Sequence, residues 1–196
     1  GSSDAGAVLR ACERLNPRPL GPGRLGAIAA TLGSDVPFLA GESAAAIGTG
    51  RGEQLAPSPP LPVRDVALVF PPFGIPTKDA YRWLAESRGQ YPPLEPVMDP
   101  DQAASWDAIA TWAENDFEAV VVERHPEIGN ILDALRSAGA LLAMLSGSGS
   151  TVFGVFAADD SGAAPELLAA QGTMPAGARI VWTRTARRVV PVVASG

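Results

Sequence analysis

Proline and glycine limit what this chain can fold into more than any other feature. The 21 glycines and 19 prolines are spread through the 196 residues as punctuation between apolar-periodic segments, not gathered into a low-complexity tract. The chain therefore breaks into many short elements. No apolar run approaches the ~18 residues of a membrane span, and the first residues lack the charged and apolar regions of a signal peptide. At 46% hydrophobic residues and a mean hydropathy of +0.12, the segments between breaks still carry enough apolar surface for a packed core. Fifteen Lys and Arg against 21 Asp and Glu leave a net charge of -6, which provides no electrostatic footprint for nucleic acid or an anionic membrane. Cys12 is the only cysteine, so an intramolecular disulfide is excluded and a Cys-rich zinc site is not expected. A soluble protein of the cytoplasm is the expectation.

The periodicity predicts mixed elements. Val8, Cys12 and Leu15 recur at helical spacing and predict a helix from Asp4 to about Leu15, with these three side chains in the core. Leu25, Ile28, Ala29 and Leu32 predict a second helix, with Gly33 as a left-handed cap. Strands are expected at Ser43 to Ile47 and at Val66 to Phe70, the latter buried on both faces. A helix from Thr77 to Leu84 follows. Asn115 and Glu118 have the spacing of a capping box for a helix through Val122, and His125-Pro126 ends it and opens another that closes at Gly139. Ala140 to Leu145 and Thr151 to Ala157 read as strands around a glycine-serine loop. A helix near Pro165 to Ala170 and strands at Arg179 to Trp182 and Val189 to Val193 complete the chain. Because strands and helices mix without strict alternation, the class is α+β. The proline-rich Ala56 to Pro62 is the candidate boundary.

Three short stretches could carry chemistry. Gly1-Ser2-Ser3 opens a helix, where free N–H groups and the positive dipole end favour an anion; a capping serine behind a vector-derived glycine is the plainer alternative. Ser146-Gly147-Ser148-Gly149-Ser150 joins two apolar strands and could wrap a phosphate with amides and hydroxyls, or could simply be a hairpin turn. Asp35 sits between Gly33 and Val36-Pro37, and Pro37 is expected to force Val36 out of the helical region. A lone aspartate of this kind also suits a turn or cap. His125, the only histidine, and the Arg184, Arg187 and Arg188 cluster suit surface or capping roles, and the tryptophans suit packing.

Taken together these residues resemble the GHMP small-molecule kinases. The resemblance rests on Gly1-Ser2-Ser3-Asp4-Ala5, Leu32-Gly33-Ser34-Asp35-Val36-Pro37-Phe38 and Ser146-Gly147-Ser148-Gly149-Ser150-Thr151-Val152-Phe153, in the family's order and spacing. Gly50-Arg51-Gly52-Glu53-Gln54-Leu55, Pro76-Thr77 to Tyr81 and Asn115-Asp116-Phe117-Glu118 extend it along the chain. Within the superfamily the chain is most similar to members that use ATP to phosphorylate the 2-hydroxyl of a cytidine-diphosphate-linked methylerythritol in non-mevalonate isoprenoid synthesis. Homoserine- or mevalonate-type kinases and a non-catalytic ligand-binding fragment are the alternatives.

The resemblance implies a two-domain fold: residues 1–55 as part of the ribosomal-protein-S5-like domain, 63–182 as the C-terminal GHMP domain, and 183–196 as a terminal strand returning to the first. It implies that Asp35 orients and deprotonates the substrate hydroxyl. It implies that Gly1, Ser2, Ser3, Ser146, Gly147, Ser148 and Gly149 contact ATP phosphates, with Ser3 near Mg²⁺. Tyr81 would stack on the cytidine base, with Thr77 a polar contact beside it. Against the family pattern Gly1 falls inside the phosphate loop, so a further N-terminal segment or a second chain is expected as a partner, and the 196-residue polypeptide alone is expected to lack kinase activity.

Overall fold

The computed structural model describes residues 1–50, 52–58, 61–87, 103, 105–158 and 174–193. Two compact units emerge: Gly1–Leu61 with Asp99–Ala104 and Ala186–Gly196, and Pro62–Met98 with Ser105–Thr185.

In the first unit, α1 (Ser2–Leu15), α2 (Pro22–Leu32) and the short α3 (Val36–Ala40) pack together beside a hairpin of β1 (Ala46–Thr49) and β2 (Gln54–Pro57). Pro22 opens α2 directly after Gly21, whose φ of 80° is open to glycine at little cost. The core here is Ala29, Val36 and Ala40, with Ala5 and Leu9 against it. The face of α1 turned inward is thus Ala5, Gly6 and Leu9. The expected stripe is outside: Val8 is 60% and Leu15 75% exposed, and Cys12 is an exposed free thiol. Residue size decides this. A Cβ on Gly6 would lie 2.7 Å from the backbone of Leu39, so α3 approaches α1 along the side that has almost no side chain.

Further local expectations fail here. Gly33 is extended, at φ 161°, and not left-handed. Val36 is helical despite Pro37, because a proline in the first helical turn gives up an N–H that has no partner there anyway, and burial of both residues favours the helix. The strand expected at Ser43 to Ile47 begins only at Ala46, and its partner β2 was not anticipated. No strand forms at Val189 to Val193; the Val190 carbonyl instead accepts from Arg10 Nη1 at 3.0 Å.

The second unit is an antiparallel sheet in the order β4-β5-β3-β6, from β3 (Asp65–Phe70), β4 (Leu142–Leu145), β5 (Val152–Phe156) and β6 (Arg179–Arg184). With it are α4 (Thr77–Ser87), α5 (Trp106–Trp112), α6 (Asp116–Arg124) and α7 (Pro126–Ser137). This mixture is the α+β class expected. β3 pairs on both edges, with β5 and β6. Its faces differ: Ala67 and Val69 are fully buried in the main core, whereas Leu68 and Phe70 are half-buried, and the Arg179 guanidinium lies 4.4 Å over the Phe70 ring. α7 lays Ile128, Ile131, Leu132 and Leu135 onto the sheet against Leu145, Val152 and Phe156. His125-Pro126 separates α6 from α7, and Gly139 at φ 90° ends the chain of turns after α7. α5 was missed because it is short and buries no residue; the Ser105 hydroxyl caps it through Ala108 N at 3.1 Å. The helix expected near Pro165 to Ala170 lies outside the described residues.

Leu135 is fully buried, and its Cδ2 would lie 2.9 Å from a Cβ added at Gly154. Leu135→Ala is therefore expected to cost about 2–5 kcal/mol. Urea unfolding of the two proteins, followed by the shift in midpoint at constant slope, checks this.

Candidate functional site

The candidate residues fall in both units. In the first, Gly1 caps α1, and its amine lies 3.0 Å from Asp4 Oδ2. Ser2 is half-buried and Ser3 exposed, both in the first turn of α1. Asp35 caps α3, and its carbonyl accepts from Leu39 N at 3.2 Å. Its carboxylate is exposed, 3.4 Å from Ser34 Oγ, at a cavity of about 300 Å³ lined also by Phe38, Leu39, Ala46, Gly48, Gly52 and Leu55. A carboxylate facing a mostly apolar cavity can accept a proton from a bound alcohol while the walls hold the carbon skeleton.

In the second unit, α4 and the Ser146–Ser150 loop meet: Thr77 Oγ1 lies 3.2 Å from Ser148 Oγ. Tyr81, one turn along α4, is 60% exposed and braced edge-on by Phe117, ring centres 4.9 Å apart at 79°. The loop closes through Ser146 N to Thr151 O at 2.8 Å and Gly149 N to Ser146 O at 3.0 Å. Gly147 and Gly149 have φ of 56° and 85°, and a Cβ on Gly147 would meet nothing within 4 Å. The space is at Gly147 alone, since a Cβ on Gly149 would lie 3.1 Å from Leu145 Cδ1 and 3.3 Å from Ile75 Cδ1. Ser150 Oγ donates to Phe73 O at 2.6 Å.

Asn115 and Glu118 do not form the expected capping box. The Asn115 carbonyl oxygen accepts from Phe117 N at 2.9 Å, as an N-cap should, but its amide nitrogen donates to Leu145 O at 2.8 Å and Gly147 O at 2.9 Å. Glu118 Oε2 accepts from Leu145 N at 2.9 Å. Local spacing hides this, because the partners are about thirty residues away. His125 stacks on Phe73, ring centres 5.0 Å apart at 17°, in a packing role. Arg184 Nε pairs with Asp65 Oδ1 at 2.7 Å across the strands, and Arg187 and Arg188 are exposed. Among the described residues no three His, Cys, Asp or Glu side chains group as a metal site, and no helix is long and apolar enough to cross a membrane.

Residues 102–171 match the family described as GHMP kinases C terminal. A 4-diphosphocytidyl-2-C-methyl-D-erythritol kinase of Rhizobium johnstonii is 42% identical over 157 residues, 80% of this chain and 51% of the relative. Residues 102–171 thus resemble the C-terminal region of the GHMP kinases. An enzyme of the same name from Anaeromyxobacter dehalogenans is 41% identical over 196 residues, 96% of this chain and 59% of the relative. A crystal structure of 4-(cytidine 5'-diphospho)-2C-methyl-D-erythritol kinase superposes with a TM-score of 0.63 at 31% identity, covering 91% of this chain and 63% of that one. The L. major mevalonate kinase in complex with R-mevalonate, at 15% identity and a TM-score of 0.55, shares the fold. The chain spans about half the length of the curated relatives it matches.

Proposed function

We propose that this protein is a GHMP kinase and transfers the γ-phosphoryl group of ATP to the 2-hydroxyl of 4-diphosphocytidyl-2-C-methyl-D-erythritol. The observation that carries the reading is the 41–42% identity to relatives bearing that enzyme's name. The geometry supports it. Phosphoryl transfer asks for in-line positioning, a group that takes the proton of the attacking hydroxyl, and donors around the phosphate oxygens. Asp35 is the base: its carboxylate accepts the hydroxyl proton as the oxygen attacks phosphorus, and the apolar walls beside it hold the methylated carbon chain. Each unit offers donors suited to phosphate oxygens: Ser2 and Ser3 with the amides opening α1 in the first, and Ser146, Gly147, Ser148 and Gly149 in the second.

Hydroxyls and backbone amides are the donors that the phosphates of ATP require. Mg²⁺ would arrive with the phosphates and take the Ser3 hydroxyl as a ligand, since phosphate oxygens and water supply most of its octahedron in such sites. When bound it would neutralise phosphate charge. The reading places the protein in the cytoplasm, where an exposed free Cys12 suits a reducing compartment.

Tyr81 stacks on the cytosine ring, with Thr77 beside it. Tyr81→Ala is expected to weaken the cytidine substrate by about 1–3 kcal/mol, the worth of one stacked base, and to leave ATP binding unchanged. Calorimetry with both ligands reads this, and equal losses for the two would assign Tyr81 to packing against Phe117. A mevalonate-type activity is the second reading, supported only by the shared fold. A panel of the cytidine substrate, mevalonate and homoserine separates the readings.

A further inference from the structure

β4 is the edge of its sheet, so one row of its backbone groups turns away from β5 and needs partners. Side chains supply them. Arg136 Nη2 reaches Ala143 O at 3.4 Å, Glu118 takes Leu145 N, and Asn115 takes Leu145 O. Arg136 also lies 3.4 Å from Glu118 Oε1, which holds that carboxylate in place. The last of these contacts does more than satisfy an edge. The same Asn115 amide nitrogen donates to Gly147 O, inside the loop, while its carbonyl oxygen is committed to the first turn of α6. Because Oδ1 must face the Phe117 N–H, both Nδ2 hydrogens are aimed at the end of β4 and the loop after it.

We propose that Asn115 is the positioning residue of the Ser146–Ser150 loop: it fixes the Gly147 peptide against α6, so that the next amides and the Ser148 hydroxyl are presented to the phosphate. This rests on the function proposed above. The loop has few other anchors. Besides its own turn bonds it is held by Thr77 at Ser148, by the Phe73 carbonyl at Ser150 and by the side chains of Leu145 and Ile75 beside Gly149, none of which bonds the Gly147 peptide. At Gly147 itself, with φ 56° and nothing within 4 Å of an added Cβ, no side chain packs in place of the amide contact.

Asn115→Asp separates capping from positioning. Aspartate caps a helix as well as asparagine does, but its carboxylate cannot donate to Leu145 O or Gly147 O and repels both. Asn115→Ser keeps a capping hydroxyl and loses the reach, without the added charge. In the full gene product both variants are expected to stay folded with a modest fall in the melting transition, from the lost bond to Leu145 O, and to lower kcat by about 10²-fold, the effect of misplacing a group by an ångström. Amide hydrogen exchange should rise at residues 146–150 and not along α6. Wild-type loop exchange in both variants, or wild-type kcat with a loosened loop, would overturn the proposal. So would exchange rising equally along α6, which assigns Asn115 to the cap alone. If the unsubstituted protein transfers no phosphate, the proposed function falls, and the exchange data still decide whether Asn115 holds the loop.

Discussion

Asp35→Asn in the full gene product is expected to lower kcat by about 10²-fold or more, the smallest loss usual for a removed general base. Shape is conserved in this substitution, and the Asp35 carbonyl still accepts from Leu39 N, so α3 and the cavity wall should persist. The neutral amide can still touch the hydroxyl but cannot take its proton. ATP affinity should stay within about twofold, because the loss appears in the transition state and not in ground-state binding. A variant with wild-type turnover, or one whose defect is confined to KM for ATP, removes Asp35 from the chemistry.

Gly6→Ala should be the most damaging small substitution in the first unit. The added methyl would sit 2.7 Å from the carbonyl carbon, carbonyl oxygen and Cβ of Leu39. Backbone cannot rotate aside as a side chain does, so α3 must move away from α1. Overpacking of this kind costs about 1–3 kcal/mol. The greater consequence is for Asp35, which caps α3: a displacement of about an ångström at a reacting group can cost about 10²-fold in rate. Gly6→Ala is therefore expected to lower both the melting temperature and kcat, whereas Val8→Ala, on the exposed side of α1, should change neither. Equal effects of the two substitutions would show that the α1–α3 contact does not set the position of Asp35.

Gly6 also marks where sequence reasoning fell short. Apolar spacing located α1, but it chose Val8, Cys12 and Leu15 as the inner face, because a glycine contributes nothing to a hydrophobic count. Only the approach of Leu39, thirty-three residues on, shows that an absent side chain is what packs. The second unit was easier to read, since Ile128, Ile131, Leu132 and Leu135 lie on one face of a single helix and Pro126 and Gly139 mark its ends. β2 and α5 escaped because both are short: β2 is four residues with little apolar alternation, and α5 is barely two turns with no fully buried residue. Of the site, the Ser-Gly loop and the cap at Asp35 were visible as local motifs. The Thr77–Ser148 contact and the Asn115 bridge were not, because each joins residues about thirty to seventy positions apart.

The central claim is phosphoryl transfer to a cytidine-linked alcohol, and its most direct measurement is the mass of the acceptor. The full gene product, incubated with ATP, Mg²⁺ and an equimolar mixture of the cytidine substrate, mevalonate and homoserine, is expected to add one phosphoryl group to the cytidine substrate alone, in step with ADP release. Phosphorylated mevalonate or homoserine with the cytidine substrate untouched, or ATP left intact over many expected turnovers, would contradict the account.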